Sequence, residues 1–355
     1  RTHCVVDLGA VYNVVAMPNN ETGRRKDFAE DLAGAFLSGD GERVDRLFAP
    51  YAVQPESAVS REFLLGMCHL ASGVRQRGML ALEQASVLTP NYPEVFIELG
   101  RHAFSEQRYA DALAQFEKAE RLADEGHWPL FLHDHFESRC LDGFANVALV
   151  QGRTEQAMQF LRDLERRLPE DPSVLKRLGE TAFRLKDYDA ARKYIKDYSD
   201  LSPGLAPVDV QLAAMAIRAK QYDEARVFLE QASARHRDDP ATLMAMTQLA
   251  VDMDDTDRAL KIIAQAKRIG PLDASMMLLE GQARYMAGDI DVASQLFEEL
   301  SRNQPLQVGY SNLYALALAT DSELSKRGLA RQIALRNLRA NPNQLSVLSV
   351  AGWLE

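Results

Sequence analysis

Cysteine is scarce in this chain. Cys4, Cys68 and Cys140 are the three in 355 residues, and their wide separation excludes a disulfide-stapled scaffold and any CxxC metal pair. Cys68 and Cys140 fall where helix interiors are expected, so they read as small buried thiols. Positive charge is not in excess either: a net charge of −10 and a pI near 5.3 argue against a general nucleic-acid binder, which gains from counterion release. Apolar runs of membrane-spanning length are missing, since residues 4–17 (CVVDLGAVYNVVAM) are too few and are interrupted by Asp7. Strand-like alternation is absent. There is no GxxxxGK[ST] loop, no GxSxG elbow, no HExxH and no GxGxxG after a strand, so the chain is read as no enzyme, with no catalytic residue, cofactor or metal expected. The acidic run Asp252-Met253-Asp254-Asp255-Thr256-Asp257 lacks the glycine and distal glutamate of a calcium loop and reads as a solvated turn with a helix N-cap.

What the chain has is a period. Gly78, Ala112, Ala157, Ala191, Ala225, Ala259 and Ala293 recur every 34 residues, with one interval of 45. Twelve residues before each stands a second, mostly small column: Gly66, Gly100, Ala145, Gly179, Ala213, Thr247 and Gly281. Four residues after comes a large apolar one: Leu82, Phe116, Leu161, Ile195, Leu229, Ile263 and Phe297, one helical turn away on the same face. Proline ends the unit at Pro90, Pro169, Pro203, Pro271 and Pro305. A period of this length with small residues at each return is the mark of stacked helix-turn-helix units, none of which buries its apolar face alone.

These columns resemble the tetratricopeptide repeat, most plainly in LGETAFRLKDYDAARKYI and LGRHAFSEQRYADALAQF, with Tyr109, Tyr188 and Tyr222 entering second helices. The resemblance covers about residues 59–305 and implies an all-α, right-handed superhelical solenoid of antiparallel helix pairs. Its inner face is then lined mainly by first helices. It implies no reaction.

The expected organisation is an N-terminal non-repeat or capping segment at 1–24, a degenerate repeat at 25–58 with Ser38-Gly39-Asp40-Gly41 as its turn, and seven repeats over 59–305. An atypical repeat follows at 306–341, and the start of a further repeat at 342–355. Residues 4–17 read first as a capping helix, with a strand or the tail of an upstream anchor as alternatives. The last segment, LSVLSVAGWLE, stops soon after its small residue Gly352, so the chain reads as a piece of a longer array. Its Leu345, Leu348, Trp353 and Leu354 form an uncapped apolar face, from which self-association is expected. The compartment stays open: free thiols favour the cytoplasm slightly, and a periplasmic location is the alternative.

The interval of 45 places 11 extra residues around EGHWPLFLHDHFESR, near 124–137. His127, His133, Asp134 and His135 are metal-ligand types, but His133 and His135 would diverge on a helix. A longer helix pair, with Trp128 and Phe131 filling the gap between repeats, is the favoured account, so no metal is assigned.

The resemblance also implies which places of each first helix line the groove. In this chain they give Arg101, Asn146, Lys176, Arg177, Glu180, Arg184, Gln211, Arg218, Gln248, Gln282 and Tyr285. Asn146 holds the asparagine place of carboxylate-binding members of the family, but Asp142 stands where their lysine would be. The expected function is a protein-protein interaction scaffold that takes an extended peptide or partner helix, acidic in character, in this groove. The alternative is an envelope scaffold of a bacterial polysaccharide-export or secretion assembly, whose glycan track needs exposed aromatics; Phe104, Phe183 and Tyr285 are the candidates.

Overall fold

A computed structural model of the chain describes residues 31, 34, 35, 38, 40–48, 60–321 and 323–354. The segment expected to cap the array, residues 1–24, lies outside them, as does most of the degenerate repeat. Eighteen α-helices and no strand occur among the described residues. The chain divides into two compact units, residues 1–185 and 186–355.

In the first unit, α1 (Gly41–Phe48) leads into α2 (Arg61–Ala71) and α3 (Arg75–Leu88), α4 (Pro93–Ser105) and α5 (Tyr109–Glu125), α6 (Leu130–Val150) and α7 (Thr154–Arg167), and then α8 (Pro172–Arg184). In this unit α2 packs on α3, α4 on α5 and α6 on α7, each second helix packs on the first helix after it, and α4 also meets α6. The second unit opens with α9 (Tyr188–Leu201) and continues with α10 (Val208–Arg218) and α11 (Tyr222–Arg235), α12 (Pro240–Asp252) and α13 (Thr256–Ile269), α14 (Ala274–Met286) and α15 (Ile290–Asn303), α16 (Val308–Ala319) and α17 (Leu324–Ala340), and α18 (Leu345–Leu354). The same pairwise packing holds there, and α18 lies on α16 and α17.

The sequence columns are the core. Ala112, Ala157, Ala191, Ala225, Ala259 and Ala293 are fully buried, and the large column from Leu82 to Phe297 is buried with them. Small residues are needed because the helices approach closely. The Phe116 ring lies between two glycines, where a Cβ at Gly100 would come within 2.7 Å of it and one at Gly143 within 2.6 Å. Four first helices start where a side chain satisfies free N–H groups: Ser60, Asp171, Asp239 and Asp273 cap α2, α8, α12 and α14. Asp255, from the acidic run, likewise accepts from the Arg258 N–H at 3.1 Å and caps α13.

The turn inside the seven pairs from α2 and α3 to α14 and α15 is built on one residue in the left-handed region, a column that the sequence reading did not pick out. Gly73, Gly152 and Gly288 hold it with positive φ, and so do Gln107 (φ 63°), Lys186 (60°), Lys220 (57°) and Asp254 (56°). The bonds are those of a Schellman closure: Arg153 N–H donates to Ala148 C=O at 2.9 Å and Gly152 N–H to Leu149 C=O at 3.2 Å.

The 11 extra residues make helix and no new loop. Helix α6 has 21 residues against 13 in α4, and α5 has 17 against 14 in α3, which together account for them. Trp128 does fill the space, its indole N–H donating to the Leu122 carbonyl at 3.0 Å and its ring meeting Tyr92 and Phe136. Phe131 does not: it is 71% exposed, and fully buried Phe136 takes the role. Five residues is more than one helical turn, and Phe136 falls on the side of α6 that faces α4 and α5, whereas Phe131 precedes the packed stretch.

Candidate functional site

In the first unit, the first helices α4, α6 and α8 carry a ladder of charged and amide groups that runs from repeat to repeat. Glu94 and Glu98 are one turn apart on α4 and only 6% and 5% exposed. Arg139 of α6 forks across both, bonding Glu94 through one guanidinium nitrogen and Glu98 through the other. Arg101 donates to Glu98 at 2.9 Å, and His135 Nε2 lies 3.3 Å from Glu94. Burial alone would raise the Glu94 pKa, but Arg139, His135 and Arg101 outweigh it and hold the carboxyl below its ordinary value. One repeat on, Asp142, Asn146 and Arg177 close a triangle: Arg177 pairs with Asp142 and donates to Asn146 Oδ1 at 3.0 Å, and Asn146 Nδ2 donates to Asp142 at 3.3 Å.

The expected groove cations therefore have different standing. Arg101 and Arg177 are paired, and Lys176 lies 4.0 Å from Glu180. Arg184 is exposed and makes no ion pair among the described residues. The carboxylates Glu94 and Glu98 and their partner Arg139 were not singled out from sequence. A signal existed, because Glu94 and Arg139 hold the same place in successive first helices with opposite charge.

In the second unit, Gln211 is tied back to its own turn, donating to Ser199 Oγ at 2.9 Å and the Ala206 carbonyl at 2.7 Å. Gln248 donates to Asp252 at 2.7 Å. Gln282 and Tyr285 are half-buried, and Arg218 is exposed without an ion pair among the described residues. An apolar cleft of about 360 Å³ opens beside Leu243, Met244, Ile269, Pro271 and Met276. Ala266 is the small residue of its lining on α13. Buried acids recur here too: Asp209 of α10 is held by Arg192 and Arg235 from α9 and α11, and Glu280 of α14 by Lys267 at 2.6 Å.

The aromatic residues considered for a glycan track differ in exposure, with Tyr285 half-buried. Phe183 is buried and Phe104 leans on Tyr109, with ring centroids 5.6 Å apart. In the lengthened pair, His133 turns to Glu137 at 3.1 Å, Asp134 to Arg167 at 3.1 Å and His135 to Glu94. Asp124, His133 and Glu137 do place donors within 4.8 Å of one another, but Arg167 already neutralises Glu137 at 2.7 Å.

Two tetratricopeptide-repeat family models match the chain, one over residues 182–249 and 216–279 and the other over 143–206. Residues 143–279 of the chain carry tetratricopeptide repeats. Solved structures similar to it include a tetratricopeptide repeat protein from Parabacteroides merdae (15% identity, 72% of this chain and 97% of that one, TM-score 0.43). A thermophilic tetratricopeptide repeat protein from Thermus thermophilus is similar at 16% identity, 52% and 98% coverage and TM-score 0.40, and yeast Tom70 at 12%, 92% and 94%, and 0.44. No curated protein sequence matches the chain. Tetratricopeptide repeat proteins are typically non-enzymatic scaffolds that bind proteins or peptides. Among the described residues, no helix is long and apolar enough to cross a membrane.

Proposed function

We propose that this protein holds an extended peptide or a partner helix along the face made by its first helices. The ladder on α4, α6 and α8 carries the reading, because it sets donors and acceptors at repeat spacing on one face of the first unit. Glu94, Glu98 and Asp142 already occupy Arg139 and Arg177, so an acidic ligand is recognised by the exposed cations Lys176 and Arg184 in this unit, with Arg101 shared with Glu98. Arg218, Gln248, Gln282 and Tyr285 serve the second unit, where the cleft beside Met244 and Met276 takes one apolar side chain of the ligand. Exposed charges are screened beyond about 8 Å at physiological salt, so the cations act on contact and do not steer from afar.

The test is selection of a displayed random peptide library on the protein, followed by titration of a recovered peptide. Peptides with clustered carboxylates should be recovered, and Lys176→Ala with Arg184→Ala should weaken them about tenfold, the scale of one lost charge-assisted hydrogen bond. Added salt should mimic the double variant, with the melting temperature unchanged. Recovered peptides indifferent to Lys176, Arg184, Arg218 and Gln282 alike would place the binding face elsewhere.

A further inference from the structure

Helix α17 carries Lys326, Arg327, Arg331, Arg336 and Arg339, and no carboxylate stands between Leu324 and Leu354. This reverses the sign of a chain whose net charge is −10. Two of the five cations are engaged: Lys326 donates to Asp291 at 2.9 Å and Asp321 at 2.6 Å, and Arg327 Nε donates to the Asp321 carbonyl at 2.8 Å. Arg331, Arg336 and Arg339 are exposed and have no ion pair among the described residues. Contrast Arg108, which is exposed yet pairs with both Glu106 and Asp111.

The helix bearing them is firmly seated. Ala330, Ile333, Ala334 and Asn337 are buried, and the Asn337 amide donates to Ser311 Oγ at 2.8 Å and Asn312 Oδ1 at 2.9 Å on α16. The opposite face therefore points outward in one fixed register. On it Leu329, Gln332, Arg336 and Arg339 follow helical spacing, and Gln332, Leu335, Arg336, Arg339 and Ala340 line a cleft of about 550 Å³. Apolar and cationic groups alternate along this stripe, and no carboxylate among the described residues pairs with Arg331, Arg336 or Arg339.

We infer that this stripe is a docking surface for an acidic amphipathic helix of a partner protein. Leucine-sized side chains of that helix rest on Leu329, Leu335 and Ala340, and its carboxylates receive the planar forks of Arg331, Arg336 and Arg339. Charge complementarity argues for this occupant and its size limits the class. A single helix is about 10–12 Å across and meets only the stripe. A bilayer or a nucleic-acid duplex is an extended polyanion and would reach past the stripe to exposed carboxylates such as Asp291, which stands beside Lys326. The surface belongs to a second helix and is separate from the first-helix face proposed above.

The test is fluorescence anisotropy of the whole chain with a labelled peptide of about 18 residues, five helical turns, carrying glutamate and leucine at i, i+4 spacing. Saturable binding is expected, weakened at least about tenfold by Arg331→Glu, Arg336→Glu and Arg339→Glu together, and weakened by raising salt from about 50 to 200 mM. Lys176→Ala with Arg184→Ala should leave it unchanged, which separates this surface from the first-helix face. Circular dichroism checks the fold of the triple variant, and the corresponding Arg→Gln variant replaces it if helix is lost. No binding by the wild-type chain, or equal binding by the triple variant, overturns the inference. So does tighter, arginine-dependent binding of phosphatidylserine vesicles or a short DNA duplex, which would assign the surface to a polyanion.

Discussion

Gly66 of α2 and Gly78 of α3 face each other across the first full helix pair. A Cβ at Gly66 would lie 3.1 Å from the Gly78 carbonyl oxygen and 2.8 Å from Leu82 Cγ; one at Gly78 would lie 3.0 Å from the Gly66 carbonyl oxygen and 2.8 Å from Leu70 Cγ. Later pairs carry at least one larger residue in these columns, as at Ala145 with Ala157 and Ala213 with Ala225. At the Gly66–Gly78 pair each added Cβ would therefore press on the backbone of the opposite helix as well as on a leucine side chain.

Gly66→Ala and Gly78→Ala should each destabilise, although alanine favours helix by about 1 kcal/mol, because overpacking costs about 1–3 kcal/mol where backbone is the obstacle. Thermal unfolding by circular dichroism should show a lower midpoint for both. Leucine at fully buried Ala225 should behave likewise. A higher midpoint for Gly66→Ala would mean that the pair is more loosely packed than described.

Lys220→Gly and Gln107→Gly should stabilise. Both residues hold positive φ at the place where Gly73, Gly152 and Gly288 stand, and the left-handed conformation costs a side chain about 1 kcal/mol. The greater freedom of glycine in the unfolded chain takes back part of this, leaving about 0.5 kcal/mol. Asp254→Gly should gain less, since aspartate tolerates this region. Chemical denaturation midpoints at constant slope would check the order.

Stability should fall in acid partly through Glu94. Its folded pKa lies below the unfolded value of about 4.3, so its contribution is complete above that value and is lost as pH falls through the lower one. Glu94→Gln, which also leaves Arg139 with Glu98 alone, should cost about 1–3 kcal/mol at pH 7. The gap between variant and wild type should narrow below about pH 4. A gap that is independent of pH in melting curves would sink this assignment.

Cys68 and Cys140 should stay unreactive toward a thiol reagent at neutral pH until the chain unfolds. Both are fully buried, and burial, aided by nearby Glu120 and Glu94, pushes the Cys140 thiol up to about 12. Labelling followed by mass spectrometry, with and without denaturant, would decide it.

On α18, Leu345 is 82% and Trp353 60% exposed, with Leu348 beside them, and a second copy is the proposed cover for this apolar face. Sedimentation should show association that rises with protein concentration and weakens in Leu345→Asp. A monomer at all concentrations would remove the proposal.

Much of the helical architecture was legible because a repeat writes each packing role several times over. The small and large columns named the buried residues of seven helix pairs, and proline marked the exits. The left-handed column was harder to see. Only Gly73, Gly152 and Gly288 announce it, while glutamine, lysines and aspartate hold the same geometry elsewhere. Phe131 was misplaced because an apolar residue in an insertion carries no period to assign its face, and the five residues from Phe131 to Phe136 turn about 140° around the helix.

The amino-acid sequence by itself determined the repeat length, the helix pairs and the faces they bury, since these follow from local periodicity and side-chain size. Only the tertiary structure decided which charges are free. Arg177 and Arg331 look alike as sequence, yet one is closed by Asp142 from the preceding first helix and the other meets no carboxylate among the described residues. The physical reason is range: an ion pair depends on a few ångströms between side chains about one repeat apart, a distance that helical periodicity does not encode.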